Sequence, residues 1–230
     1  MEHFVKIYCD NPLFAHVPQE ALLPLLECLQ AQKRSFTKGE IIFAAGTRAT
    51  QLGIVLTGRV YTMYEDMLGG RSILDTMEPG RLFCEAFSCT QQQHLPVSIA
   101  AQTDCTVLLI DTVRILHTCA NACRQHQQLC ENLVHILAEK YTAMSHKVIH
   151  LSGRTTRRKL LSYLSEQMRL AGGNPFALPF NRQELADYLF IERSGLSTEL
   201  NKLQKEGILQ FDNGMCSLQI PFCTGADCDG

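Results

Sequence analysis

The chain shows three successive patterns of hydrophobic and polar positions. Between residues 36 and 111, short apolar runs alternate with glycine-bearing turns, as in TKGEIIFAAGT and VLTGRVYTMY. This regular spacing without long helical periodicity predicts an antiparallel β-roll of the jelly-roll type. Just before it, residues 18–30 place leucines on one side of a predicted helix, which Pro24 kinks or delays.

The second pattern, over residues 120–151, is helical. Its apolar positions are separated alternately by four and three residues, which is typical of a coiled coil and predicts a dimer interface. These positions are Cys130, Val134, Leu137, Tyr141, Met144 and Val148. A second stripe that includes Leu133 predicts packing against the roll. An ordinary buried helix fits the same pattern, because fewer than four heptads are present.

The third pattern predicts a winged helix-turn-helix. A helix in RTTRRKLLSYLSEQMRL ends at GGNP, and two helices follow in FNRQELADYLFIERSGLSTELNKLQKEGIL. Asn181 is the predicted N-cap of the first of these two helices, and Gly207 follows the second. Apolar runs on either side of Asn213-Gly214 predict a hairpin. Phe190 occupies the tight turn, where glycine is usual, so a different backbone geometry is expected there.

Seven polar residues of this third region are the predicted DNA contacts. Arg193 at the start of the second helix can bond guanine bidentately, and hydroxyl groups can contact bases or phosphates. Arg182 begins the first helix, where backbone N–H groups also favour a phosphate. The complete set is Arg182, Gln183, Arg193, Ser194, Ser197, Thr198 and Lys202. The competing interpretation is a helical hairpin used only for packing.

Composition excludes several classes of protein. The 230 residues are 46% hydrophobic and 19% charged, as in ordinary globular proteins. The net charge is −2, but residues 151–222 hold nine Lys and Arg against seven Asp and Glu, an excess that suits DNA. Motifs for catalysis or metal binding are missing, so we expect no enzyme, and no run is long enough for a membrane helix. Without a recognisable signal peptide, a cytoplasmic protein with reduced cysteines is expected.

The quoted motifs, together with PGRLFCEAF, resemble the cyclic-AMP receptor/fumarate-nitrate regulator (CRP/FNR) family of bacteria, and in particular its members without an assigned effector. The resemblance implies an α+β homodimer that binds an inverted-repeat operator in double-stranded DNA, with RNA polymerase as a candidate partner. The expected divisions are a cyclic-nucleotide-binding-like sensor domain at 1–120, a dimerisation helix at 121–151, a winged helix-turn-helix at 152–222 and a disordered tail at 223–230.

The resemblance also locates an effector pocket. It implies that nucleotide-binding members use a glutamate for the ribose and a later arginine for the cyclic phosphate. The matching positions here are Phe83, Cys84, Glu85, Ala86, Pro96, Val97 and Ser98. No Arg or Lys lies between residues 83 and 101, and a buried phosphate without a cation is costly, so cyclic AMP is disfavoured. Glu85 is then expected to be a structural hydrogen-bond acceptor, and the effector is unknown.

Other sensors remain open, and the cofactor is unknown. Eleven cysteines allow an iron–sulfur cluster or a thiol pair at Cys119 and Cys123, although most cysteines in such a chain are packing residues. His94, His117 and His126 are candidate haem ligands. The alternative function is a ligand-binding or interaction module with no DNA role, which would not need an arginine-bearing winged helix.

Overall fold

The computed structural model describes residues 5–67, 70–90, 94–117, 124–212 and 215–219. The chain forms two compact units, Met1–Lys140 and Tyr141–Gly230. The elements that begin in the first unit are, in chain order, α1 (Val5–Cys9), a 3-10 turn (Pro12–Phe14), α2 (Gln19–Cys28), β1 (Gln32–Phe36), β2 (Ile41–Phe43), β3 (Gln51–Thr57), β4 (Val60–Glu65), β5 (Arg71–Met77), β6 (Leu82–Phe83), α3 (Glu85–Thr90), β7 (Ser98–Ala101), β8 (Cys105–Asp111), α4 (Thr112–Leu116) and α5 (Arg124–Leu151).

The first unit is a β-roll made of two four-stranded antiparallel sheets, ordered β1-β8-β3-β6 and β2-β7-β4-β5. Strand side chains alternate between two buried clusters. Ile54 and Leu108 join a cluster with α2 and the first turns of α5, whereas Val55 and Val107 join a second cluster with Phe83. The first sheet is therefore covered on both faces, and helices form one of the two covers.

Gly53 in the middle of β3 determines where Phe83 lies. A Cβ atom on Gly53 would stand 2.0 Å from Cζ of Phe83, so the aromatic ring occupies the space of the missing side chain. Phe83 pairs with Gly53 across β3 and β6, and its ring centroid is 6.1 Å from that of Phe43. This packing fixes the strand that leads directly into α3.

The second unit contains the last turns of α5 and a smaller α/β arrangement. Its further elements are α6 (Thr156–Leu170), β9 (Phe176–Ala177), α7 (Arg182–Leu189), α8 (Arg193–Lys205), β10 (Leu209–Asp212) and β11 (Met215–Leu218). The three strands form an antiparallel sheet in the order β10-β11-β9. Apolar faces of the helices meet in one core, whose buried members include Leu164, Leu185, Leu196 and Leu200.

The predicted fold class is confirmed: an antiparallel β-roll precedes a long helix and a C-terminal helix-turn-helix with a hairpin. The helix expected at 18–30 is α2, with Pro24 inside it. The two strands of the expected hairpin are paired with each other, and Asp212 lies opposite Met215. Its turn residues 213–214, the cysteines at 119 and 123, and the tail at 223–230 lie outside the described residues. No helix in the described ranges has the length and apolar character needed to cross a membrane.

Candidate DNA-binding surface and effector site

The N-terminus of α7 is held by a capping box. Oδ1 of Asn181 accepts hydrogen bonds from the backbone N–H groups of Gln183 and Glu184, at 2.9 Å each. Oε2 of Glu184 accepts in return from the N–H of Asn181 at 2.8 Å. The two backbone donors that the cap engages are thus already occupied, so a phosphate at this end must be bound chiefly by the Arg182 side chain. The side chain of Gln183 donates to Asp187 at 2.9 Å.

The turn between α7 and α8 adopts a left-handed backbone without glycine. Phe190 has φ 51° and ψ 56°, and the N–H of Ile191 donates to the carbonyl of Ala186 at 2.9 Å. The different turn geometry expected without glycine is therefore wrong: Phe190 itself adopts the left-handed conformation, which costs about 1–2 kcal/mol outside glycine. The ring is 70% exposed, and Nζ of Lys147 lies 5.0 Å from its centroid. Lys147 is also 5.0 Å from the ring centroid of Tyr188.

The second helix, α8, presents most of the predicted contacts to solvent. Arg193, Ser194, Thr198 and Lys202 are exposed, while Ser197 is half-buried. Oγ1 of Thr198 donates to the carbonyl of Ser194 at 2.9 Å, which leaves its lone pairs as acceptors. Within the described ranges, neither Arg193 nor Arg182 takes part in an ion pair. The guanidinium of Arg193 therefore has all of its donors available at the helix start.

An arginine of α6 holds α8 in place. Arg157 bonds Glu206 with both terminal nitrogens, one of them at 3.0 Å to Oε1, and lies 3.5 Å from Glu199. Hydrogen bonding to Arg157 lowers the pKa of the Glu206 carboxyl. Glu199 is thus engaged by Arg157 and does not hold Arg193. Sequence reasoning missed this contact, because the partners are 49 residues apart.

The wing, which is the hairpin of β10 and β11, is held at the C-terminal end of β11 by Asn174. Nδ2 of Asn174 donates to the carbonyl of Leu218 at 2.7 Å, and Oδ1 of Asn174 accepts from the N–H of Leu218 at 3.0 Å. β11 therefore keeps its place beside β9 while its other edge pairs with β10.

The residues predicted for the effector pocket fall into two groups. Phe83, Cys84, Glu85 and Val97 are buried, Ser98 is half-buried, and Ala86 and Pro96 are exposed. Cys84 has φ 62°, the left-handed conformation suited to glycine, and connects β6 to α3. The Ser98 hydroxyl accepts from the N–H of Ala45 at 3.0 Å.

Glu85 forms an ion pair that the sequence did not indicate. Its Oε1 accepts a short hydrogen bond from Nζ of Lys140, which lies 55 positions later on α5. The Glu85 side chain is 6% exposed and that of Lys140 is 48% exposed. Oε2 of Glu85 is buried without a hydrogen-bond partner among the described residues. Glu85 thus acts as a structural hydrogen-bond acceptor. The cation beside it, Lys140, lies outside residues 83–101, the stretch in which the sequence showed no Arg or Lys.

Burial keeps the nearby thiols protonated. Desolvation, followed by the charge of Glu85, raises the pKa of Cys84 from its ordinary 9.0 to about 12. The pKa of Cys89 is raised by burial and then by Glu85 and Cys130. A reactive or ligating cysteine needs the thiolate, so neither environment favours that chemistry. Among the described residues, no group of three or more His, Cys, Asp or Glu side chains is arranged to hold a metal ion.

The six positions predicted for a dimer interface separate by exposure. Val134, Tyr141, Met144 and Val148 are 59–75% exposed. Cys130 and Leu137 are half-buried and pack against the core of the first unit, and the Cys130 thiol donates to the carbonyl of Ile115 at 2.8 Å. The exposed stripe on α5 is therefore made by four of the six residues.

Two known families match the chain. The family described as cyclic nucleotide-binding domain matches residues 33–122, and the Crp-like helix-turn-helix domain matches residues 158–221. No curated protein sequence matches.

Solved structures share the fold along most of the chain. A catabolite activator protein from Thermus thermophilus is 24% identical, with a TM-score of 0.55 and coverage of 91% of this chain and 94% of that chain. A CooA mutant from Carboxydothermus hydrogenoformans is 21% identical, with a TM-score of 0.52 and coverage of 86% and 91%. The sensor domain of DNR from Pseudomonas aeruginosa is 17% identical, with a TM-score of 0.53, and covers 67% of this chain and 97% of its own.

Proposed function

Since the chain belongs to the CRP/FNR family of DNA-binding transcription regulators, we propose that it binds an inverted-repeat operator as a homodimer and that its β-roll responds to an effector other than cyclic AMP. The observation that carries the proposal is Arg193, which is exposed at the first position of α8 and pairs with no described acidic side chain. The N-terminal end of the second helix in a helix-turn-helix reaches base edges in the major groove.

Arg193 reads a base and the other cations position the protein. A guanidinium bonds O6 and N7 of guanine with two parallel hydrogen bonds. Ser194, Ser197 and Thr198 supply hydroxyls along the same end of α8, and Gln183 adds an amide from α7. Arg182 and Lys202 are phosphate contacts, because their charges lie at the exposed ends of the two helices.

The homodimer forms through the exposed stripe on α5. Val134, Tyr141, Met144 and Val148 lie on the four-three spacing of a two-helix seam, with the half-buried Leu137 at the position between Val134 and Tyr141. Each of the four leaves more than half of its surface to solvent in one chain. Burying them against a second copy removes a contiguous apolar surface from water. Two-fold symmetry then presents two copies of α8 about one duplex turn, roughly 34 Å, apart, which calls for an inverted repeat.

The effector carries no phosphate. In the predicted pocket, the nearby cation Lys140 is already paired with Glu85, and residues 83–101 add no Lys or Arg. An anion placed there would compete with Glu85 for Lys140 and leave a buried carboxylate without a partner, at a cost of several kcal/mol. A neutral ligand with a hydrogen-bond donor suits Oε2 of Glu85 better, because this atom has no partner among the described residues.

The test selects binding sites from random DNA at two salt concentrations. We expect Arg193→Ala to lose about 1–3 kcal/mol and to relax preference at one base pair per half-site. Arg193→Lys is the matched control, because it keeps the charge but loses the bidentate fork and should relax the same base pair. Arg182→Ala should weaken binding to every sequence and reduce the salt slope by about one charge. If Arg193→Ala kept the native preference at every position, its base-reading role would be wrong.

A further inference from the structure

Two histidines of α5 share one carboxylate of α6. Nδ1 of His146 lies 2.5 Å from Oε1 of Glu166, and Nε2 of His150 lies 2.5 Å from Oε2 of the same residue. His146 and His150 are one helical turn apart, so both face α6. The His150 side chain is 3% exposed and that of Glu166 is 14% exposed. All three residues belong to the second unit.

The hydrogen bonds of this cluster accommodate extra protons. A carboxylate only accepts, so His146 donates from Nδ1 and His150 donates from Nε2. Nδ1 of His150 is 2.9 Å from Oγ of Ser162. The Ser162 hydroxyl donates to a neutral imidazole and accepts from a protonated one, so His150 can gain a proton without losing a partner. The His146 side chain is 38% exposed.

Two cations near the cluster oppose added protons, and neither lies between the histidines and Glu166. Arg169 on α6 lies 3.9 Å from Oε1 of Glu166, and Lys147 on α5 is directed over the rings of Tyr188 and Phe190.

Aromatic side chains complete the surroundings of His150. The rings of Tyr163 on α6 and Tyr188 on α7 lie 5.7 Å and 6.4 Å from the His150 ring. Burial raises the pKa of both phenols, so they stay neutral. Glu166 is therefore the anion that pairs with an imidazolium here, and protonation of either histidine converts its hydrogen bond to the carboxylate into an ion pair.

The cluster connects to the DNA-reading helix through Lys147. This residue follows His146 on α5, and its ammonium lies against Phe190, the left-handed residue of the turn that leads into α8. A firmer hold of α5 on α6 therefore also fixes the turn that presents Arg193. Ordering this turn before binding lowers the ordering cost of association.

We propose that His146, His150 and Glu166 form a proton-sensitive clamp whose protonation raises the affinity of the protein for DNA. Histidine is the side chain type that serves most often as a proton switch near neutral pH. Direct contacts of 2.5 Å leave no space for a metal ion between the nitrogens and the carboxylate. The effect on DNA rests on the proposed function, whereas the clamp itself does not.

The experiment measures operator affinity of the full-length chain at pH 7.5 and pH 6.0 in a chelator-containing buffer. We expect the affinity to rise about fivefold on acidification, which is the lower end of typical coupling between two sites. Glu166→Gln should lose most of this rise. His146→Gln should reduce it too, and this partly exposed position keeps the fold if Glu166→Gln does not. His135→Gln, an exposed histidine of the first unit, is the matched control and should keep the full rise.

Urea unfolding at the same two pH values tests the clamp without DNA. Protonation that strengthens a native contact stabilises the native state as the pH falls, so acidification should raise the unfolding midpoint of the native chain relative to Glu166→Gln. An equal pH response of both chains in urea and in DNA binding would overturn the proposal. If DNA is not bound at either pH while the urea difference is present, the proposed function fails and the clamp stands.

Discussion

Replacing Lys140 with methionine should destabilise the β-roll far more than its half-exposed position suggests. Lys140→Met keeps much of the side-chain length but removes the ammonium that bonds Glu85. Because the Glu85 side chain is 6% exposed and Oε2 has no described partner, the change leaves a buried carboxylate with neither oxygen paired.

The expected loss lies between two limits. Breaking a fully buried ion pair costs about 3–5 kcal/mol, and exposed pairs contribute about 0–1 kcal/mol. Lys140 is 48% exposed, so water screens part of the attraction, and we expect a loss of about 2–3 kcal/mol in the free energy of unfolding. Glu85→Gln should cost only about 1 kcal/mol, because the freed ammonium returns to water and no buried charge remains.

Urea denaturation at neutral pH measures both losses. The double variant Lys140→Met/Glu85→Gln should lose less than the sum of the single changes, since both act on one contact. Lys38→Met, an exposed lysine between β1 and β2, is the matched control and should stay within about 0.5 kcal/mol of the native chain. If Lys140→Met cost no more than Glu85→Gln, Glu85 would not depend on Lys140 and the reasoning would be refuted.

Two further predictions concern assembly and ligand. Tyr141→Asp/Met144→Asp should weaken self-association at least about 100-fold, because both side chains are exposed in one chain and a dimer would bury the four that its two copies contribute. Sedimentation measures the change in self-association. His135→Asp, outside the exposed stripe, is the control. Calorimetry should detect no tight binding of cyclic AMP, because Lys140 is engaged by Glu85.

Each of these two predictions has one outcome that would contradict it. A dimer that persists after both aspartate changes would place the interface elsewhere on the chain. A micromolar or tighter affinity for cyclic AMP, together with a change in DNA affinity, would show that a cation supplies the phosphate contact despite the ion pair.

The sequence correctly predicted those helices and turns that depend only on residues close together in the chain. The glycine turns of the roll, the Asn181 cap and the leucines of α7 and α8 each act over a few residues, and all are found as expected. The turn at Phe190 was not anticipated: a different backbone was expected without glycine, yet Phe190 adopts the left-handed conformation that glycine usually provides.

The sequence patterns could not predict contacts between residues that are far apart in the chain. Nothing near Lys140 or Glu85 indicates that they meet, because the contact depends on how α5 packs against α3. The four-three spacing likewise could not separate Leu137 from Met144: one packs in part against the core of its own unit, and the other faces solvent. His146 and His150 did carry a usable signal, since histidines four apart on a helix share a face.

Asn174 also protects the protein from unwanted strand addition. In the register of β9 and β11, where Phe176 is opposite Cys216, the next hydrogen-bonding position places residue 174 opposite Leu218. The Asn174 side chain makes there the two bonds that another strand would make. An uncovered strand edge is a template for pairing with other chains. A single amide thus occupies this stretch of edge, so Leu218 is not available to a neighbouring chain as the start of an aggregate.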